Sequence, residues 1–158
     1  MYKVPLNMKF AVLTFLCGLV LSGKDAPSGK LVVKVEGARN AKGLIRVALW
    51  NQAGGFPVDP RKALTGASAA VVNGEAVFSF EHLPAGSYAI SSYHDENQNG
   101  KLDTNLVGIP KEEYGFSNGA RAKIGPPSFA AARFSFDGKD ATIQVRISMF
   151  TFDKAPLD

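Results

Sequence analysis

The 158-residue sequence predicts an all-β fold, an antiparallel β-sandwich of about seven strands. Three observations carry that reading. Apolar and polar residues alternate with period two through several short runs, as they do when successive side chains leave opposite faces of a sheet. Turn dipeptides, Asn73-Gly74 and Asp137-Gly138 foremost, punctuate those runs. No stretch beyond residue 30 sustains a long helical period.

The elements follow in order. LVVKVEG (31–37) sets Val33 and Val35 against Lys34 and Glu36. GLIRVALWN (43–51) places Ile45, Val47 and Leu49 on one face and Leu44, Arg46, Ala48 and Trp50 on the other. AAVVNGEAVFSFEHL (69–83) reads as two strands joined at Asn73-Gly74, because a type I′ turn needs positive φ at both central residues. GSYAISSYH (86–94) is the fifth strand. FAAARFSF (129–136) and KDATIQVRISMF (139–150) read as a last hairpin about Asp137-Gly138, with Ala141, Ile143, Val145 and Ile147 alternating against Thr142, Gln144, Arg146 and Ser148. Seven short strands with frequent turns suit an immunoglobulin-like or transthyretin-like sandwich. Leu83-Pro84-x-Gly86-x-Tyr88 resembles the corner of carboxypeptidase-regulatory-like and collagen-adhesin B-type sandwiches. In that resemblance the proline and glycine turn the chain, and the tyrosine starts the next strand facing the core.

The segment 95–128, after the fifth strand, is long for a connection in a compact domain, and such loops are usually functional or disordered. Its Leu106, Val107, Ile109, Tyr114 and Phe116 argue against disorder. PKEEYGF, from Pro110, reads as a single helical turn.

The N-terminus has the layout of a secretory signal over 1–23. Lys3 and Lys9 precede an apolar run from Phe10 to Leu21, and Ser22 and Gly23 are small residues at the cut. The run is short for a membrane-spanning helix. Phe15 and Leu16 before Cys17 do not suit lipidation, and removal of the signal leaves no cysteine for a disulfide. The sandwich is expected over 30–150, with a tail at 151–158. Loss of Lys3 and Lys9 lowers the formal net charge of +4 by two. The remaining basic residues are scattered, which excludes a nucleic-acid footprint. The protein is therefore expected to be secreted or periplasmic, with no stable membrane insertion once the signal is removed.

The chemical lead is HDENQNGKLD (94–103). Asp95, Asn97, Asn99, Gly100 and Asp103 fall at the spacing of a D-x-N-x-N-G-x-x-D calcium loop, with the Lys101 carbonyl as a further ligand. Calcium is a hard cation that takes oxygen ligands, and the glycine permits the sharp turn. Leu106 stands where an EF-hand needs its final glutamate, and the preceding element is a strand. The expectation is thus a weak calcium-type loop on a β scaffold, Kd roughly 10⁻⁴ to 10⁻³ M. A missing carboxylate is expected from Glu96, Glu112 or Glu113. The competing reading is a polar turn, for which Asp, Asn and Gly are also the usual residues.

The run from His94 to Ala120, HDENQNGKLDTNLVGIPKEEYGFSNGA, resembles the bacterial secreted proteins grouped as domain-of-unknown-function family 2141. The resemblance extends from about Leu31 to Met149. It implies a small exported bacterial β-sandwich and supplies no catalytic residues.

Three functions are weighed. The favoured one is a non-enzymatic binding or scaffold module in which the calcium-type loop orders 105–128. Tyr114, Phe116 and Arg121 are its candidate binding surface, and a protein, glycan or other envelope ligand its partner. The second is a metal-assisted hydrolase using His94, Asp95 and Glu112 or Glu113. The third is a carbohydrate-binding module using Trp50 and Tyr114, which needs exposed aromatic faces.

Overall fold

A computed structural model describes residues 27–122 and 124–150. The readings of a signal over 1–23 and a tail over 151–158 lie outside these residues. Two sheets face each other. The first has the order β4 (Glu75–Pro84), β1 (Ser28–Glu36), β8 (Ala141–Arg146). The second has the order β3 (Thr65–Ala69), β2 (Leu44–Trp50), β5 (Gly86–Asp95), β6 (Tyr114–Phe116), and β7 (Phe134–Phe136) pairs with the start of β5. A short helix α1 (Phe129–Ala132) precedes β7. The all-β sandwich expectation holds, with eight strands among the described residues.

The alternations dictate the layers. Leu31, Val33 and Val35 of β1, Ile45, Val47 and Leu49 of β2, and Phe78 and Phe80 of β4 meet between the sheets. Burial of such side chains, at about 25 cal/mol per Å² of apolar area, is the main stabilising term. Trp50 points the other way, as its place in the alternation requires. It centres a second cluster on the outer face of the β2–β5 sheet with Ala89, Phe116 and Ala132. Phe56 stacks edge-on to it at 5.4 Å between ring centroids, and its indole N–H donates to Ser91 Oγ at 2.9 Å. The 51–64 loop and α1 thus cover one half of that outer face and leave the other half open.

Four elements differ from the expectations. The Asn73-Gly74 turn forms, with φ of 54° and 81° and reciprocal backbone bonds between Val72 and Glu75. Its upstream arm, however, is only the Val72 bridge, because β3 starts earlier and pairs with β2 in the opposite sheet. Residues 129–136 are not one strand. Ser128 caps α1 by accepting from the Ala131 N–H, and the small apolar FAAA packs as a helical turn before β7 begins. Asp137-Gly138 does not make a hairpin. β7 belongs to β5, whereas β8 crosses to lie parallel to β1, so the sandwich is not purely antiparallel. PKEEYGF forms no helical turn, and its Tyr114–Phe116 pair antiparallel with Ser91–Tyr93.

The two sheets join at one corner. Beyond β8, the Ile147 N–H still donates to Glu36 of the first sheet, while Ser148 exchanges backbone bonds with Tyr114 of the second. Gly115 is required there, because a Cβ would come within 2.2 Å of the Arg146 carbonyl oxygen. At the opposite end, Tyr88 is buried as expected and donates from its hydroxyl to the Pro84 carbonyl at 2.9 Å. Tyr88→Phe is expected to cost about 1 kcal/mol. Thermal unfolding should detect this as a melting point lower by a few degrees, with the native circular-dichroism spectrum retained.

Candidate functional site

The site is built by the last residues of β5. Successive side chains leave opposite faces, so Ser91, Tyr93 and Asp95 project outward while Ile90, Ser92 and His94 project between the sheets. The pleat thereby divides the polar residues of the 94–113 region into two groups.

The outer group centres on Asp95, which is fully buried. Its Oδ2 accepts from Arg46 Nε at 2.5 Å and from the Gly100 N–H at 2.9 Å, and its Oδ1 from the Asn99 N–H at 3.0 Å. Burial pushes its carboxyl group up, but the Arg46 hydrogen bond and charge, with the two N–H donors, outweigh this and hold it below the usual carboxylate range. The loop then closes on itself. Asn97 Oδ1 accepts from the Asn99 N–H and Asn99 Oδ1 from the Lys101 N–H, while both side-chain amides donate to Asp103, at 2.8 and 2.9 Å. Buried Glu112 completes the arrangement, accepting from the Glu96 N–H and the Asp103 N–H. Asp95, Asn97, Asn99, Lys101 and Asp103 are therefore brought into one tight coil with Glu112 beneath it. The oxygens fit a hard cation by type. An ion would displace the two amide N–H groups from Asp103 and take the amide oxygens in their place.

From Asp103 the chain makes a small hairpin that the sequence did not disclose. Lys111 donates to the Asp103 carbonyl, Thr104 bridges Pro110, and Asn105 pairs with Ile109 through the backbone. Asn105 Oδ1 also accepts from the Val107 and Ile109 N–H groups. The tip exposes Leu106 and Val107, the latter 78% accessible. Beneath it, on the uncovered half of the β2–β5 sheet, lies a groove of about 1070 Å³. Arg46, Ala48, Tyr93 and Tyr114 form its floor, Gly66 to Ser68 of β3 one wall, and Val107, Ile109 and Pro110 the other. Val58 and Ile124, both largely exposed, stand at its rim. Burial pushes both tyrosine hydroxyls up, so they stay protonated donors.

The inner group is separate. His94 is fully buried and Glu113 nearly so. His94 Nε2 donates to the Lys42 carbonyl at 2.6 Å, and Nδ1 faces Glu113 Oε2 at 3.2 Å and Glu96 Oε1 at 3.9 Å. Arg39 pairs with Glu96 and lies 3.4 Å from Glu113. The Arg39 hydrogen bond holds the Glu96 carboxyl below its ordinary range. The proposed hydrolase set of His94, Asp95, Glu112 and Glu113 does not converge on one point. Asp95 and Glu112 serve the outer loop, whereas His94 and Glu113 meet on the inner side.

Other candidates move too. Phe116 is a member of the Trp50 cluster, not an exposed anchor. Arg121 is exposed and donates to Ser148 Oγ. Tyr114 and Phe116 of that trio line the groove, Phe116 from within the Trp50 cluster, and Arg121 does not. Trp50, wholly enclosed, presents no face to a sugar. Arg46, Ala48 and Tyr93 were missed; the one signal was a charged residue, Arg46, within an otherwise apolar strand.

Arg46→Met leaves Asp95 buried without its partner and is expected to cost roughly 2–3 kcal/mol, less than a fully buried pair because Arg46 is partly exposed. Asp95 has a lowered folded-state pKa, so its contribution is present above the ordinary carboxylate range and is lost as pH falls through the folded value. Denaturant unfolding should therefore show a constant gap between parent and variant near neutral pH that narrows as pH falls below about 5 and on through the ordinary carboxylate range. A gap that stays constant through that range would count against the pair.

No curated protein and no solved structure matches the chain. Residues 33–144 match the family described as "Uncharacterized protein conserved in bacteria (DUF2141)". The chain belongs to that bacterial family.

Proposed function

We propose that this protein is an exported, non-enzymatic binding module. Its ligand surface is the groove between the outer face of the β2–β5 sheet and the 103–111 hairpin. The observation that carries this reading is the groove itself: an apolar trough of ligand-binding size, ringed by exposed Val58, Val107 and Ile124. Its occupant is an apolar or aromatic segment of an envelope protein. The small residues of edge strand β3 along one wall allow close approach of a second backbone, and the tyrosine hydroxyls and Lys101 offer polar contacts along the trough. The basic, apolar and small-residue order of 1–23 supports export.

The calcium-type loop has a supporting role in this proposal. It ties the end of β5 to the root of the hairpin, so a bound calcium ion would stiffen the wall of the groove. The oxygen donors and the buried Glu112 support that reading.

Two measurements test the proposal. The fluorescent apolar probe 8-anilinonaphthalene-1-sulfonate should bind saturably to the parent protein. Val107→Asp and Ile124→Asp, both at exposed positions, should each abolish most of the signal while the melting point stays unchanged. Equal fluorescence from all three proteins would sink the groove. Separately, about 10 mM calcium should raise the melting point by several degrees, the effect of tenfold to hundredfold excess over a weak Kd. Asp103→Asn should remove that rise, since Asp103 meets only side-chain amides through its carboxylate. Identical melting points with and without calcium in the parent would end the calcium reading.

A further inference from the structure

The inner cluster brings one histidine nitrogen and two carboxylates together on the face of β5 opposite the calcium-type loop. The Lys42 carbonyl can only accept, so the proton of a singly protonated His94 ring sits on Nε2, which donates to it at 2.6 Å. Nδ1 then shows a bare lone pair to Glu113 Oε2 at 3.2 Å and to Glu96 Oε1 at 3.9 Å. Three acceptors face one another around a fully buried imidazole. Arg39 is the cation beside them, reaching in from the surface with a side chain 46% exposed. A third carboxylate, Glu112, also acts on Arg39 through its charge. The negative charge gathered here exceeds what one guanidinium balances.

We infer that His94 Nδ1, Glu96 and Glu113 form a site for a zinc-class divalent metal ion. The three ligand atoms lie within 4.8 Å of one another. A tetrahedral ion with bonds of about 2.0–2.1 Å separates its ligands by roughly 3.4 Å, which small rotations of the glutamate side chains would reach. The outer contact of the ligand is already in place, because a metal-binding histidine usually donates its other N–H to a carbonyl or carboxylate, as His94 does to Lys42. One nitrogen and two carboxylates suit zinc better than calcium, which prefers oxygen alone. The fourth position opens toward Arg39, which swings out to admit the ion. The ion would clamp the end of β5 to the entrance of β6 in a region that contains no cysteine.

Titration calorimetry of the purified protein with zinc chloride, in the presence of millimolar calcium to fill the outer loop, tests this. One zinc should bind per chain. Cobalt(II) should replace it with the intense visible bands of a four-coordinate ion. His94→Gln and Glu113→Gln should weaken binding roughly 100-fold or more, since each deletes a direct ligand. Glu96→Gln, at the surface end of the cluster, should weaken it with the folded spectrum retained, which keeps the test decisive if the buried variants do not fold. Arg39→Ala should tighten binding about tenfold by removing the competing charge. Absence of zinc binding in both the parent and Arg39→Ala, or binding indifferent to Glu96→Gln, would overturn the site and leave a histidine–carboxylate–guanidinium network in its place.

Discussion

The functional end of this molecule depends on a carboxylate buried where the strand β5 stops. A buried, unpaired charge is expensive enough to unfold a small domain. Asp95 is tolerable because Arg46 on the neighbouring strand neutralises it and two backbone N–H groups of the following turn bind its oxygens. Those same bonds dictate the exit of the chain. Asn99 and Gly100 must fold back over Asp95, so the segment leaves across the outer face of the sheet instead of continuing along it. Everything beyond, the Asp103–Glu112 contact and the hairpin over the groove, takes its position from that reversal.

The pleat then decides which chemistry is available. A histidine and an aspartate adjacent in sequence look like a catalytic or metal pair on paper. In a strand they are separated by the thickness of the sheet. Glu112 and Glu113 obey the same rule from the other side, entering β6 with Glu112 toward the loop and Glu113 toward His94. One polar run thus yields two independent environments, an all-oxygen coil near solvent and a mixed nitrogen–oxygen cluster in the interior. The residues weighed for hydrolysis are thereby divided between the two halves, so no single reacting atom can reach them all.

Much of the fold was legible because alternation is a local property. The faces of β2 and of β8, the tyrosine at position 88 and the positive-φ turn at Asn73-Gly74 follow from neighbouring residues alone. What failed was pairing. Asp137-Gly138 carries the signal of a hairpin, yet the chain there crosses from one sheet to the other, and nothing local distinguishes the two outcomes. FAAARFSF has the apolar content of a strand, and only the Ser128 cap and the room beside Trp50 make its first half helical. The site was half legible for the same reason. The loop residues were apparent from their spacing. Arg46, Arg39 and the groove floor were not, because each acquires its role from a partner some fifty residues away or more.

The open half of the outer sheet is the feature the rest of the architecture leaves unexplained by stability alone. The Trp50 cluster shows that this fold can cover an outer face: the 51–64 loop, Phe56 and α1 do so completely over one half. The 103–111 hairpin could have covered the other half with Leu106 and Val107. Instead its own ladder and Asn105 hold it upright, with both apolar side chains in solvent. Exposing them forgoes roughly 1.5–3 kcal/mol per side chain that burial would have contributed. A hairpin braced by backbone bonds, by Asp103 and by buried Glu112 holds that geometry against collapse. On the proposed reading, such bracing keeps the trough beneath open for a partner segment to fill.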